Sequence, residues 1–306
     1  MSNIDKIEEL QGLLREDANN FQARRELAVL LMDSGFNEES LKNLLYLSKI
    51  FTDDSGIFYN LGIVYEKLKQ FAKAKESYQR ALEIDPKEID ALYNLGLVYM
   101  ELQEYEAAIN TFKQVIKFDP QDSNSYFNLG LVYFKQRDYT SAIRYFQETI
   151  DLNDEDIYAH FYIGNILKEV GEYVGAREEF EKVLELSPEY SWAYYNLAVL
   201  DYEEGDFSSS EENLQKTIEL NPSDIEAYKI LAQITAKNGY YSDAEDIIQH
   251  AIDNCGEQGD LYYLAGEIFK SEGDVEKSKE YFNKALSNSK TLSVPIVRVQ
   301  SALASL

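Results

Sequence analysis

The chain has 306 residues, of which 45% are hydrophobic and 27% are charged. Its 55 Asp and Glu residues outnumber its 29 Lys and Arg residues, and the net charge of −26 argues against nucleic acids and anionic membrane surfaces as partners. Cys255 is the only cysteine, which excludes an internal disulfide, and no apolar run reaches about eighteen residues. We therefore expect a cytoplasmic protein without membrane insertion.

The first twenty residues are predicted to form one helix. Ile4, Ile7, Leu10, Leu13 and Leu14 recur at helical spacing. The end of a helical array has to cover one apolar face and present a polar one to water. Residues 1–20 are therefore interpreted as an N-terminal capping helix.

Residues 21–292 repeat with a period of 34 residues and without insertion or deletion. The eighth place of every repeat holds a small residue: Ala28, Gly62, Gly96, Gly130, Gly164, Ala198, Ala232 and Gly266. The twentieth place is equally restricted: Ser40, Ala74, Ala108, Ala142, Ala176, Ser210, Ala244 and Ser278. The eight repeats begin at Phe21, Ser55, Ile89, Ser123, Ile157, Ser191, Ile225 and Gly259. This period is typical of a solenoid of stacked helical units.

Each repeat is predicted to contain two helices. In the third repeat, Leu92, Leu95 and Val98 have the spacing of one helix, and a second series begins at Ala108 and Phe112. Five repeats hold a glycine between the two series, where the residue that ends a helix can adopt a positive φ: Gly35, Gly171, Gly205, Gly239 and Gly273. Four repeats close on a proline, which stops the second helix: Pro86, Pro120, Pro188 and Pro222.

Residues 293–306 are predicted to form a C-terminal capping helix. Pro295 suits a helix start, and Ile296, Val299, Ala302 and Leu303 fall on one stripe. The alternative is an amphipathic segment that docks in a groove of the solenoid or on a second copy.

The repeats resemble the tetratricopeptide repeat (TPR) in one set of residues, which in the third repeat reads Asn94, Leu95, Gly96, Tyr99, Ala108, Phe112 and Pro120. The resemblance implies an all-α solenoid, in which antiparallel helix pairs wind into a right-handed superhelix. It further implies that the first helices line a concave groove that binds peptides or partner proteins. It does not identify the partner.

If the first helices line this groove, their second, fifth, sixth, ninth, twelfth and thirteenth places face inward. The fifth place is mostly aromatic and the ninth mostly apolar, which predicts an apolar stripe. Recurring asparagines at the sixth place could bond an extended peptide backbone. The predicted peptide-binding residues are Tyr59, Asn60, Ile63, Tyr93, Asn94, Leu97, Phe127, Asn128, Leu131, Phe161, Asn165, Tyr195 and Asn196.

Little in the chain indicates catalysis. His160 and His250 lie in different predicted helices, and neither a metalloprotease motif nor a phosphate-binding glycine loop is present. His160 is interpreted as a packed structural histidine. Asp201 is unusual because it occupies the eleventh place, which otherwise holds mostly large apolar residues. It is expected to pair with a lysine or to receive a ligand. No catalytic residue, cofactor or metal site is predicted.

The sequence therefore predicts a non-catalytic scaffold that binds an extended, partly apolar segment of another protein in the groove. A large exposed apolar stripe usually marks a partner site. The alternative is a self-assembling structural protein, whose groove takes the C-terminal helix of another copy. Such a protein would form a homo-oligomer through its terminal helices or its groove.

Overall fold

The computed structural model describes residues 2–306, which form eighteen α-helices and one 3-10 helix and contain no β-strand. The α-helices are α1 (Asn3–Glu16), α2 (Phe21–Asp33), α3 (Asn37–Ile50), α4 (Ser55–Lys67), α5 (Phe71–Ile84), α6 (Ile89–Glu101), α7 (Tyr105–Phe118), α8 (Ser123–Lys135), α9 (Tyr139–Leu152), α10 (Ile157–Glu169), α11 (Tyr173–Leu186), α12 (Ser191–Glu204), α13 (Phe207–Leu220), α14 (Ile225–Lys237), α15 (Tyr241–Cys255), α16 (Gly259–Glu272), α17 (Val275–Ser287) and α18 (Ile296–Ala304). The 3-10 helix spans Ser289–Thr291. Among these residues, no helix has the length and apolar character needed to cross a bilayer.

The chain divides after Asp154 into two compact units, which are called here the N-terminal half (α1–α9) and the C-terminal half (α10–α18). In both halves the helices pack as consecutive pairs, so that the fold is an all-α solenoid. The first helix of each pair begins at the residue where the 34-residue frame begins. Side chains at the preceding residue accept a hydrogen bond from a backbone N–H of the first turn in five pairs, at Asn20, Asp54, Asp122, Asp156 and Asp224.

The turn between the two helices of a pair passes through the left-handed region of φ. Five glycines have φ between +82° and +91° there, as the sequence pattern predicts: Gly35, Gly171, Gly205, Gly239 and Gly273. At the same place, Lys69, Gln103 and Arg137 have φ of +56°, +59° and +60°. A side chain therefore does not prevent this turn, although it strains the backbone.

The two helices of a pair are locked by a contact between the eighth and twenty-fourth places. A Cβ added to Gly96 would lie 2.6 Å from the ring of Phe112, so only glycine leaves room for that ring. The same arrangement joins Gly62 with Tyr78, Gly130 with Phe146, Gly164 with Phe180, and Gly266 with Phe282. Where the eighth place is alanine, the twenty-fourth is a smaller aliphatic residue: Ala28 with Leu44, Ala198 with Leu214, and Ala232 with Ile248. The two places thus compensate each other in volume.

The twentieth place also lies against the eighth, as small residues at both places predict. The hydroxyls of Ser40, Ser210 and Ser278 donate to the carbonyl oxygens of the eighth-place residues in their own pairs, at 2.7, 2.8 and 2.8 Å. These hydroxyls are buried and satisfied, so serine replaces alanine there without leaving an unpaired polar group.

Each end of the array packs against its neighbouring helices. In the N-terminal half, Ile7 and Leu10 of α1 are buried against Ala23, Leu27 and Leu31 of α2.

In the C-terminal half, Val299 of α18 is fully buried with Tyr262, Phe282 and Ala285. The segment that leads to α18 is tied to α16, because the N–H of Gly259 donates to the Thr291 hydroxyl and the N–H of Ser293 donates to Asp260, both at 2.7 Å.

Candidate binding face on the first helices

The places predicted to face a groove form one set of positions within each half. We call it the first-helix face, and define it as the second, fifth, sixth, ninth, twelfth and thirteenth places of α2, α4, α6 and α8, and of α10, α12, α14 and α16. In the C-terminal half, a cavity of about 330 Å³ is lined by Lys229 and Gln233 of α14 together with Tyr263 and Glu267 of α16. These places therefore share a surface across neighbouring pairs.

In the N-terminal half, the fifth-place rings form half-buried walls. The ring of Tyr93 packs at 5.9 Å from that of Phe112, and Tyr59 and Phe127 make the equivalent contacts with Tyr78 and Phe146, at 5.9 and 5.5 Å. The ninth place is apolar in all four first helices: Val29, Ile63, Leu97 and Leu131. Val29 is 38% exposed and the other three are partly exposed. The ninth-place residues are called here the aliphatic stripe, and the aromatic rings of the fifth place lie one helical turn before them.

The sixth-place asparagines have a role that the sequence interpretation did not foresee. Nδ2 of Asn94 donates to the hydroxyl of Tyr59 at 3.3 Å, and Nδ2 of Asn128 donates to that of Tyr93 at 3.0 Å. These bonds join successive first helices and fix the tyrosine rings. Asn94 therefore already uses one amide N–H within the fold, and the predicted contact of the asparagines with a peptide backbone stays a prediction.

Asn128 also donates to the carbonyl of Asn124 at 2.9 Å and is buried, whereas Asn60 and Asn94 are partly exposed. Each tyrosine and its asparagine partner lie 35 residues apart, which is one period plus one residue. The regular recurrence of tyrosine at the fifth place and asparagine at the sixth could have revealed this contact.

In the C-terminal half, the face is more polar. Its ninth places hold Asn165, Val199, Gln233 and Glu267. Asn165 and Asn196 donate to backbone carbonyls one turn earlier in their own helices, those of Phe161 at 2.9 Å and Trp192 at 2.8 Å. Phe161 packs on Phe180 at 6.0 Å.

Asn196 is buried, and its Oδ1 accepts a hydrogen bond from Nζ of Lys168. Burial lowers the pKa of Lys168. A lysine at the twelfth place thus replaces tyrosine as the partner of the sixth-place asparagine.

The second place of α10 and α12 carries two large exposed aromatic residues. Tyr158 is 54% exposed and Trp192 is 52% exposed. Tyr195, at the fifth place, packs edge-on to Trp192 with ring centroids 6.4 Å apart. The second place is among those predicted to face the groove. The predicted peptide-binding residues come only from the fifth, sixth and ninth places, however, and do not include Tyr158 and Trp192.

The unusual Asp201 has partners within its own half. It is 2% exposed, and its Oδ1 lies 2.8 Å from the guanidinium of Arg177, which also contacts Glu204. Its Oδ2 accepts from Nδ2 of Asn213 at 2.8 Å. The cation that pairs with Asp201 is therefore an arginine of the preceding pair and not the expected lysine.

The two histidines lie in different surroundings. His160 is buried, and its Nδ1 lies 2.7 Å from Glu179. His250 is exposed and packs edge-on to Tyr228. Within residues 2–306, no group of three His, Cys, Asp or Glu residues is arranged to hold a metal ion.

Family models described as tetratricopeptide repeat match residues 56–88, 77–110, 123–156, 167–234 and 259–291, and one described as TPR repeat matches residues 96–137. No curated protein matches the chain significantly.

Several solved structures are similar. MamA from Desulfovibrio magneticus RS-1 is 25% identical with a TM-score of 0.54, over 56% of this chain and 97% of that one. YrrB, described as a TPR protein with an unusual peptide-binding site, is 25% identical with a TM-score of 0.50, over 60% of this chain and 95% of that one. A TPR repeat-containing protein of Cytophaga hutchinsonii shares the fold over 91% of this chain and 98% of that one, at 16% identity and a TM-score of 0.59. The matched repeats and the paired helices together show that this chain belongs to the tetratricopeptide repeat family and has the fold of a protein-interaction scaffold.

Proposed function

We propose that the protein is a non-catalytic scaffold that binds an extended, partly apolar segment of a partner protein on its first-helix face. The observation that carries the proposal is the aliphatic stripe of the N-terminal half, Val29, Ile63, Leu97 and Leu131, which remains partly exposed in a chain with a net charge of −26. An apolar stripe kept open to water on so acidic a protein favours a partner that covers it. The lone Cys255 suits a reducing, cytoplasmic setting.

The stripe has the form that an extended segment would need. Its members come from successive first helices, so a segment that crosses the helices would meet one aliphatic residue in each pair. The rings of Tyr59, Tyr93 and Phe127 would flank the segment, and they are held by their contacts with the second helices. Fixed rings lose little entropy when a ligand binds, and this favours affinity.

The sixth-place asparagines would have two roles in this site, positioning tyrosine rings and contacting the ligand. Asn94 and Asn128 each donate one N–H to a tyrosine hydroxyl, so these two would also act by positioning the rings. Asn60 and Asn94, which are partly exposed, remain candidates for contact with a ligand N–H through their carboxamide oxygens. In the C-terminal half, Phe161, Asn165, Tyr195 and Asn196 would continue the site with more polar contacts.

The test is capture of partner proteins by the full chain and by a Leu97→Ser, Leu131→Ser variant. We expect the double variant to capture at least tenfold less partner protein, because each serine removes an apolar contact that binding would bury. Phe118→Ser is the matched control, since Phe118 is exposed at the end of α7, a second helix. Unchanged capture by the double variant, with unchanged circular dichroism, would contradict the proposal.

Self-assembly through α18 has no comparable support. The C-terminal helix buries Val299 on its own chain, and Nζ of Lys270 donates to the hydroxyl of Ser305 at 2.7 Å. To enter the groove of another copy, α18 would have to give up these contacts first. These contacts support a segment other than α18 as the occupant of the face.

A further inference from the structure

We infer that the aromatic side chains at the start of α10 and α12 form a site for an arginine side chain of the bound segment. The inference rests on the proposed function and adds one element to it, the charge of the partner. The site, called here the aromatic patch, consists of Tyr158, Phe161, Tyr190, Trp192 and Tyr195 in the C-terminal half.

The patch stands out by its exposure. Tyr158 and Trp192 are 54% and 52% exposed, although large aromatic side chains usually lie mostly buried. Both occupy the second place of a first helix. The equivalent places in the N-terminal half hold no aromatic residue, since they are Gln22, Gly56, Asp90 and Asn124.

The rings of the patch hold each other edge-to-face. Tyr158 and Tyr190 have centroids 6.3 Å apart with planes at 82°, and Trp192 and Tyr195 are 6.4 Å apart at 83°. Tyr190 also packs against Phe161 at 5.3 Å. These contacts orient the exposed rings without covering them, so that ring surface stays open to a ligand.

Carboxylates border the patch. Asp156 accepts hydrogen bonds from the backbone N–H groups of Tyr158 and Ala159, at 3.1 and 2.9 Å, which places its charge beside the first ring. At the other side, burial raises the pKa of Tyr195, and the negative charges of Glu226 and Asp224 raise it further. Of these two carboxylates, Glu226 is itself paired with Lys229, so Asp156 is an acidic neighbour of the patch that has only backbone partners within residues 2–306.

Two cations of the same region have partners on the chain. Lys229 is paired with Glu226 at 2.9 Å, and Lys168, whose pKa is lowered by burial, donates to the amide oxygen of Asn196, one turn beyond Trp192 on α12. Lys168 is ten residues beyond Tyr158 on α10, which is about 15 Å of helix. Residues 155–306 contain 29 acidic and 12 basic residues, a net −17, against 26 and 17, a net −9, in residues 1–154. The half that carries the patch is thus the more acidic one.

An arginine uses both features of this surface. Its guanidinium is attracted to the negative face of an aromatic ring and stacks on it, and a nearby carboxylate adds to the attraction. The chain's own Arg24 and Arg25 do this, with guanidinium carbons 4.2 and 4.6 Å from the ring centroids of Tyr46 and Phe51. An apolar ligand would leave the carboxylates unused, and an acidic one would be repelled.

The test uses three blocked nonapeptides of alanine and leucine that carry two arginines, two citrullines or two glutamates. Citrulline has the shape of arginine without its charge. Trp192 is the only tryptophan of the chain, so its fluorescence reports binding at the patch directly. We expect the arginine peptide to bind at least fivefold more tightly than the citrulline peptide, the glutamate peptide to bind more weakly still, and the difference to shrink in 0.5 M salt.

Variants locate the effect. By calorimetry, Trp192→Ala should weaken the arginine peptide at least fivefold. Asp156→Asn, which keeps an oxygen for the backbone N–H groups of Tyr158 and Ala159, should reduce its preference over citrulline. Val174→Ala, which changes a 74% exposed side chain on α11, is the control and should change neither. Equal binding of the arginine and citrulline peptides, or unchanged binding by Trp192→Ala, would overturn the inference. Loss of partner capture in the Leu97, Leu131 variant is a separate readout, so the proposed function can stand if the arginine site fails.

Discussion

The first-helix faces of the two halves share one spacing and differ in chemistry. In the N-terminal half, exposed apolar surface lies at the ninth place, with Leu97 and Leu131 among its members. In the C-terminal half, the ninth place is mostly polar, and the exposed apolar surface lies at the second place, with Tyr158 and Trp192. The repeat therefore fixes where a side chain stands without fixing what it recognises.

The reason is that the repeat positions that hold a helix pair together differ from those on the first-helix face. The eighth, twentieth and twenty-fourth places form the contact between the two helices, and they vary only in ways that conserve volume. The second, ninth and twelfth places lie on the first-helix face, where a change of residue does not disturb that contact. Partner chemistry can thus differ between two halves of one solenoid while the helix bounds stay in register.

The largest expected effect concerns the eleventh place, where Asp201 differs most sharply from Tyr65, Tyr99 and Tyr133 of the N-terminal half. Asp201→Ala should destabilise the protein by about 2–3 kcal/mol, because it leaves Arg177 and Asn213 without a nearly buried partner. Arg177 keeps Glu204, which limits the loss. Urea unfolding measures the effect. Asp201→Asn, which retains an oxygen for Asn213, should lose less, and an equal or greater loss would show that the pair with Asn213 is unimportant.

A smaller effect is expected from exchanging the two kinds of helix-pair contact. Gly96→Ala should destabilise the N-terminal half by about 1–3 kcal/mol, since the added methyl would meet the Phe112 ring. Adding Phe112→Leu should recover part of that loss, because alanine with leucine is the combination at Ala198 and Leu214. Thermal unfolding of the single and double variants forms the cycle. Strictly additive losses would mean that the two places do not compensate.

The smallest effect concerns the twelfth place. It holds the acidic Glu66 in the N-terminal half and the basic Lys168 in the C-terminal half. Burial raises the pKa of Glu66 and the charge of Glu101 adds to this, while the hydrogen bond from Tyr78 opposes it. Because the folded-state pKa is raised, the stabilisation present at low pH is lost as pH rises through it. Glu66→Gln should therefore raise the melting temperature slightly at neutral pH and leave it unchanged at low pH.

Lys168 should show the opposite dependence of stability on pH. Its pKa is lowered by burial, so its charged form is disfavoured in the fold at neutral pH, and this penalty is relieved as pH rises through the folded-state pKa. Lys168→Met removes this penalty but leaves Oδ1 of the buried Asn196 without its hydrogen bond, so the expected result is the pH trend: the stability of the variant relative to the native chain should fall as pH rises into alkali. Lys135→Met, at an exposed thirteenth place, is the control. A difference from the native chain that is independent of pH in both variants would remove burial of charge as the cause.

Much of the fold could be predicted from the sequence, because its determinants are local. The small residues, the turn glycines and the prolines recur in phase, and each has a steric reason that holds within one pair. The face could be predicted only as a set of places. Which atoms meet across it depends on rotamers of residues one period apart, as the bond from Asn128 to Tyr93 shows. The pairing of Asp201 with Arg177 is of the same kind, since periodicity marks the exception without naming its partner.

The two kinds of helix-pair contact have a consequence for motion. A phenylalanine or tyrosine at the twenty-fourth place buries more apolar surface than a leucine or isoleucine does. Two consecutive pairs, α12–α13 and α14–α15, have the aliphatic version, with Leu214 and Ile248. In a solenoid, where each pair is held by its own contact and its neighbours, local opening begins where those contacts are smallest. We therefore expect amide hydrogen exchange to be faster in α14–α15, which has the aliphatic version, than in α16–α17 of the same half, which has the phenylalanine.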